Sequence, residues 1–271
     1  MLSLAPPVDA VTPHLAQLLV TVVTGVLTVG ALGYTLVQGR KRGSWLYLFV
    51  LIGGAICIFN EPALDLISQI YFPRTNAYRV FELYGRVMPA WALLSYTIFF
   101  GAQTIAVIEL LDRGVSRARL WQSVLGVWIV NCALEITMLH TKIYFYFGYQ
   151  PLRIGSFPAA WLVINVVGVI AAAVVIRQFR GFFTGPRVLL AAAVPPLGQL
   201  LGLWIGTPHV ALLNSSQSHL VKSLASLVTI VAGLAAIDAM AKFSCRQATT
   251  HLTTDAQTEQ PREQDARLLV R

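Results

Sequence analysis

Charge is what this chain has least of. Only 12% of its 271 residues are Asp, Glu, Lys or Arg, against 56% apolar, and the mean hydropathy is +0.67. A soluble domain carries about 25% charged residues, so about half of the usual polar coat is missing. A chain of this length could bury a large core, but it could not cover one with so few charges. A soluble globular protein is thereby excluded, and a polytopic membrane protein is expected. Cysteine is scarce too. Cys57, Cys132 and Cys245 are far apart with no metal-like spacing, and the first two lie in apolar runs that use cysteine as a small packing residue. That pattern argues against disulfides, a zinc site and a thiol nucleophile. The opening "MLSLAPPVDAVTPHL" lacks the basic n-region of a cleavable signal peptide, so the first apolar run is expected to remain as a span. No internal repeat is present.

Long apolar runs are what the chain does have. A membrane-crossing helix needs about 20 apolar residues, and such runs fall near 15–37, 45–71, 88–111, 119–140, 158–178, 187–206 and 219–241. The expected fold class is therefore all-α, a seven-transmembrane-helix bundle over residues 1–244, with a disordered tail from 245 to 271. The outer portion of the second run, "DLISQIYF", is only moderately apolar and is expected to leave the membrane. Pro195 and Pro196 predict a kink in the sixth. Lys and Arg concentrate in "GRKRGS", "DRGVSRAR", "RQFRGFFTGPR" and "AKFSCR", which alternate with less basic connections. By the positive-inside rule these loops are cytoplasmic, the N-terminus is outside and the C-terminus inside. The net charge of +8 then reflects loops facing an anionic leaflet rather than a nucleic-acid partner.

Ionisable residues inside a span are costly and point to function. Glu61 and Asp65 are four residues apart on the second helix and share a face. Asn131 and Glu135 repeat that spacing on the fourth. At 1.5 Å per residue, Glu61 and Glu135 stand at matching heights, roughly 22–24 Å above the inner ends of their helices. Arg86, Trp91, Tyr96, Trp128 and Trp161 are expected near that level. Asp238 lies toward the cytoplasmic end beside Lys242. Each has a plain alternative: Arg86 could pair with Glu82, the aromatics could form an interfacial belt, and Asp238 with Lys242 could be a solvated pair.

The stretch "NEPALDLISQIYFP" resembles the helix-2 acid motif of the small seven-helix membrane terpene cyclases of fungal meroterpenoid and indole-diterpene pathways and their distant bacterial relatives. The counterpart of that acid is either Asp65 or Glu61. "AAIDAMAK" offers Asp238 where the family has a second acid in its last helix. The resemblance implies a multi-pass enzyme, in the cell membrane if bacterial. It would cyclise a lipophilic isoprenoid by protonation, coupled to a prenyltransferase and an epoxidase. With the span acids added to those of the resemblance, the candidate catalytic residues are Glu61, Asp65, Glu135 and Asp238. The candidate substrate-binding residues are Asn131, expected to hold an acid by hydrogen bond, Arg86, and the liners Trp91, Tyr96, Trp128 and Trp161. A carboxyl in a low-dielectric site tends to keep its proton and can act as a general acid, and aromatic faces stabilise cations. No DDxxD-like or NSE-like motif occurs, so neither a metal nor a cofactor is expected. Proton- or ion-coupled transport and lycopene-type carotenoid cyclisation remain alternatives, as does a non-catalytic scaffold. A retinal photoreceptor would want a lysine in the middle of the last helix, where Lys222 is at its start.

Overall fold

The computed structural model describes residues 5–245 with their side chains. The tail expected from 245 onward lies, but for its first residue, outside that range. The chain is an all-α polytopic bundle. Among the described residues, six helices are long and apolar enough to cross a membrane: α1 (His14–Arg42), α4 (Ala90–Asp112), α5 (Arg117–His140), α6 (Ala160–Gln178), α7 (Gly185–Ile205) and α9 (His219–Cys245). A bent pair, α2 (Leu46–Phe59) and α3 (Glu61–Ser68), completes a seventh span and meets at 46°. A short helix, α8 (Thr207–Leu213), follows α7.

Helix ends follow local chemistry. Arg40, Lys41 and Arg42 occupy the last turn of α1, where cations complement the helix dipole, and Gly43 caps it in the left-handed conformation with its N–H on the Gly39 carbonyl. Ser116 caps α5, its hydroxyl accepting from the Arg119 N–H. The expected proline kink in α7 takes another form. Gly185–Ala193 is a 3₁₀ helix, and Pro195 and Pro196 open the α-helical half, where their missing N–H groups cost little. In α4, residues Thr97–Ala102 form a π-helical turn.

Helix α6 is buried on every face and forms the axis of the bundle. It packs most extensively on α7, and also on α9 and α4. Small residues permit the closest approach. A Cβ on Gly202 would overlap the Ile164 carbonyl oxygen, and one on Gly198 would overlap that of Gly168. The sequence Gly198-Gln-Leu-Leu-Gly202 is thus a small-xxx-small contact, by which helices associate where lipid supplies no hydrophobic drive. Gly54 of α2 similarly meets the backbone of Gly101 in the π-turn. Helices α1 and α5 are peripheral, and their large apolar side chains, such as Val26, Val29, Ile129 and Leu134, are exposed as lipid-facing residues would be.

The two ends of the bundle differ. One gathers the basic connections. Arg42 pairs with Glu109 at 3.2 Å, Asp112 with Arg177 and Arg180 at 3.4 and 2.5 Å, and Asp238 with Arg117 and Lys242 at 2.5 and 2.9 Å. The other is capped by six short strands that hydropathy did not predict. β1 (Ile70–Tyr71) pairs with β4 (Phe145–Tyr146), so the chain leaving α3 is tied to the chain leaving α5. β2 (Arg79–Leu83) and β3 (Arg86–Pro89) form a hairpin whose two-residue turn, Tyr84-Gly85, has positive φ at both positions. β5 (Arg153–Ile154) pairs with β6 (Phe157–Pro158).

Replacing Gly202 by Val is expected to lower unfolding free energy by more than about 2 kcal/mol, because the new methyls overlap backbone rather than a movable side chain. Gly126, where a Cβ would have no neighbour within 4 Å, is the control. Thermal unfolding in detergent should show a clear drop for Gly202→Val and none for Gly126→Val.

Candidate functional site

At the strand-capped end the bend at Asn60 sets Glu61 in the first turn of α3, with Asp65 one turn further on. The bend is held from across the bundle: the Asn60 amide donates to Gln199 Oε1 at 2.8 Å and to the Pro196 carbonyl. Glu61 is 5% exposed and Asp65 fully buried. Tyr96 of α4 donates its hydroxyl to Glu61. Neither oxygen of Asp65 meets a donor among the described residues, and the group it faces is the Glu61 carboxyl. Two carboxyls so placed bond to each other only when one carries a proton.

Glu135, half-buried on α5, accepts from the Tyr144 hydroxyl. It is near enough to Glu61 for their charges to act on one another. Tyr144 and Tyr146 lie in the connection after α5, and burial, followed by Glu135, holds both phenols above their ordinary range. They are therefore proton-bearing donors at any physiological pH. Trp91, Tyr144, Tyr146 and Trp161 belong to one apolar cluster, with Tyr96 and Trp128 packed against it. Phe72 joins Trp91 and Tyr144 at ring separations of 5.5 and 5.7 Å. The four aromatics expected as substrate liners thus come together in one cluster.

None of these three acids has a cation within ion-pair distance among the described residues. Glu82, Glu109, Asp112 and Asp238 all have one. Hence the acids at the basic end, and Glu82 on the outward side of the hairpin, are ionic ties, whereas Glu61, Asp65 and Glu135 are not.

Three expected roles are altered by the geometry. No hydrogen bond joins Asn131 to Glu135 among the described residues, and the Tyr144 hydroxyl reaches that carboxyl. Arg86 does not pair with Glu82, which is taken by Arg74 at 2.7 Å and Arg79 at 3.3 Å on the outward side of the hairpin. Asp238 is bound by Arg117, Lys242 and the indole N–H of Trp121 at 3.1 Å. Glu135 lies 18 residues along α5 from Arg117, about 27 Å away, so Asp238 is not brought to the other acids.

Nine buried side-chain nitrogen and oxygen atoms lack a hydrogen-bond partner among the described residues, and all belong to the strand-capped end. The acceptors are both Asp65 oxygens and Gln150 Oε1. The N–H and O–H groups are those of Tyr71, Arg86, Trp91 and Trp161, and Ser68 and His209 Nε2 complete the set. Buried polar groups in folded proteins are nearly all bonded, so such a cluster calls for a ligand, water or chemistry. Comparison with protein families, curated proteins and solved structures finds no match. The site is therefore read from its own geometry.

Hydropathy and spacing gave no sign of His209. It is 1% exposed on α8, with Nδ1 sharing a 2.6 Å hydrogen bond with Ser226 and its ring edge-on to Trp161. Burial holds it down to about 4, so it is neutral near pH 7. Its only sequence signal is a polar residue in an otherwise apolar turn, "PHVALL".

Asp65→Asn should raise the unfolding temperature, since an amide donates to Glu61 at any pH, whereas the carboxyl donates only while it carries a proton. Tyr144→Phe should lower it, leaving Glu135 without a donor. A change of about 1–3 kcal/mol in each direction is expected, read by thermal unfolding of the purified protein.

Proposed function

We propose that the protein is a multi-pass membrane enzyme that cyclises a lipophilic isoprenoid by protonation, a terpene cyclase in chemistry. One observation supports this above the rest: three acids without cation partners lie beside a cluster of tryptophan and tyrosine rings. The Asp65 carboxyl, bonded to Glu61 only when protonated, is the proton donor. Glu61, held by Tyr96, accepts the Asp65 O–H hydrogen bond and so positions the proton. Delivery of that proton to a terminal alkene or epoxide creates a carbocation. Internal double bonds attack it in turn, and return of a proton from the last cation to the carboxylate left by the first step restores the acid and leaves a ring product of unchanged mass. Aromatic faces stabilise each cation by about 2 kcal/mol where water is excluded. The substrate enters from the bilayer, past the thinly packed α5.

The basic end is cytoplasmic in this reading, which puts the acids in the outer half of the membrane and the N-terminus outside. In intact cells an impermeant maleimide should label Arg153→Cys, and should label Lys41→Cys only after permeabilisation. Both residues are exposed, at opposite ends of the bundle. The reverse pattern would invert the assignment.

Proton- or cation-coupled transport is the second reading. It draws on two spans broken at one level, α2–α3 at Asn60 and α7 at Val194, joined there by the Asn60–Gln199 bond. Broken helices with free carbonyls serve ions in transporters.

The deciding measurement incubates membranes with polyprenyl alcohols and epoxides and looks for an isomer of the substrate. Asp65→Asn, Glu61→Gln and Glu135→Gln should each reduce product formation by at least about a hundredfold, whereas Asp238→Asn should retain it. Product formation surviving all three acid substitutions, with substrate-driven currents in proteoliposomes, would move the assignment to transport.

A further inference from the structure

Arg86 opens β3 and is only 9% exposed. Its guanidinium lies 5.4 Å from the Tyr71 ring centre and 5.9 Å from that of Phe147. It makes no ion pair among the described residues, and its Nε has no hydrogen-bond partner. Guanidinium keeps its charge under all physiological conditions, and removing such an ion from water costs several kcal/mol. Two ring faces recover only part of that. Its charge acts on Asp65, with which it makes no ion pair.

Other unpartnered groups belong to the same end of the bundle. The Tyr71 hydroxyl belongs to the ring against which the guanidinium packs, and it has no partner. The Ser68 hydroxyl, one helical turn beyond Asp65, has none either. Gln150 binds the Ser68 and Phe147 carbonyls through its amide nitrogen, which leaves its Oε1 free. A planar cation, with the unpartnered Tyr71 and Ser68 hydroxyls in the same buried region, fits a carboxylate or phosphate, which guanidinium binds through paired N–H bonds.

We infer that Arg86, with Tyr71 and Ser68, holds the oxyanion head of an acidic isoprenoid, whose tail runs over the Phe72–Trp91–Tyr144 rings toward Asp65. This rests on the cyclase reading for the tail and names the substrate class: a prenyl chain ending in a carboxylate or phosphate, not a neutral hydrocarbon or alcohol.

The test uses the full-length protein in phosphatidylcholine nanodiscs, titrated with farnesoic acid, farnesyl monophosphate and farnesol while tryptophan fluorescence is read. One or both acidic probes should bind at least about tenfold more tightly than farnesol, the gap expected for a hydrogen bond to a charged group. Arg86→Gln should abolish that gap and leave farnesol binding as it was. Equal binding of all three probes by the wild-type protein would overturn the inference, as would an acid preference that survives in Arg86→Gln. Should Arg86→Gln fail to fold, the wild-type comparison of acid with alcohol decides alone. Displacement of the acidic probes by phosphatidylglycerol in the disc would assign the site to a lipid head group and overturn the isoprenoid assignment. Tight acid binding with no isomer formed from any probe would leave this inference standing and count against the cyclase reading.

Discussion

A carboxyl group inside a membrane protein must find hydrogen bonds or a counter-ion, because desolvating its charge costs more than any single contact returns. The bundle meets this constraint in two opposite ways. At the basic end each acid is clamped by arginine or lysine, and Asp112 is held by two arginines. A carboxylate in that setting stays ionised and serves as a tie between helices. At the strand-capped end only the outward Glu82 is held by arginines, and the inward acids have tyrosine hydroxyls and a second carboxyl as partners. These stabilise a negative charge without fixing it, so a proton there can move. The choice of partner, more than the choice of acid, separates a structural carboxylate from one able to do chemistry.

The scaffold is built around that difference. Helix α6 is buried along most of its length and is tied at its basic end by the Arg177–Asp112 pair, so it can act as a fixed axis. Glycines let α7 approach it to backbone contact, and Gly54 does the same for α2 against α4. Because α2 is held so closely, the change of direction at Asn60 is absorbed by α3. The side chain of Asn60, bonded to Gln199 across the bundle, pins the bend where it occurs. The β1–β4 pairing then joins the ends of α3 and α5, which brings Glu61 and Glu135 within electrostatic reach although 74 positions separate them in sequence.

Hydropathy made most of this architecture legible. The spans at 15–37, 88–111, 119–140 and 158–178 coincide with helices to within a few residues because lipid imposes one requirement on every span, about 20 apolar residues in a row. Glu61, Asp65 and Glu135 stood out for the same reason: a charge is conspicuous in such a run. Their partners did not. Tyr96 and Tyr144 look like interfacial aromatics in a single sequence, and only packing shows that their hydroxyls meet carboxyls. Asn131 shares a helix face with Glu135 by spacing, but spacing cannot say which neighbour reaches the carboxyl first. The strands were hidden because two-residue pairings are too short for an alternating pattern. Tyr84-Gly85 was their clearest local sign. The 3₁₀ half of α7 was likewise unreadable, as prolines mark where a helix is disturbed and not on which side.

The polar atoms left unbonded at the strand-capped end narrow what could occupy it. A purely hydrocarbon ligand would leave the Asp65 oxygens, the Arg86 Nε and two indole N–H groups as unsatisfied as before, at about 1–3 kcal/mol for each. A small hydrophilic solute would satisfy some of them but would gain nothing from the aromatic cluster that runs from Phe72 to Phe157. Water alone could fill the polar positions, yet the rings beside them offer it no bonds. An amphiphile answers both halves, with its polar end among the unpaired groups and its apolar length against the rings. Such a molecule partitions into the bilayer, which is also the surface that α5 exposes beside Glu135. The acids, the rings and the lipid-facing helix therefore favour one kind of occupant, and each group considered alone would not.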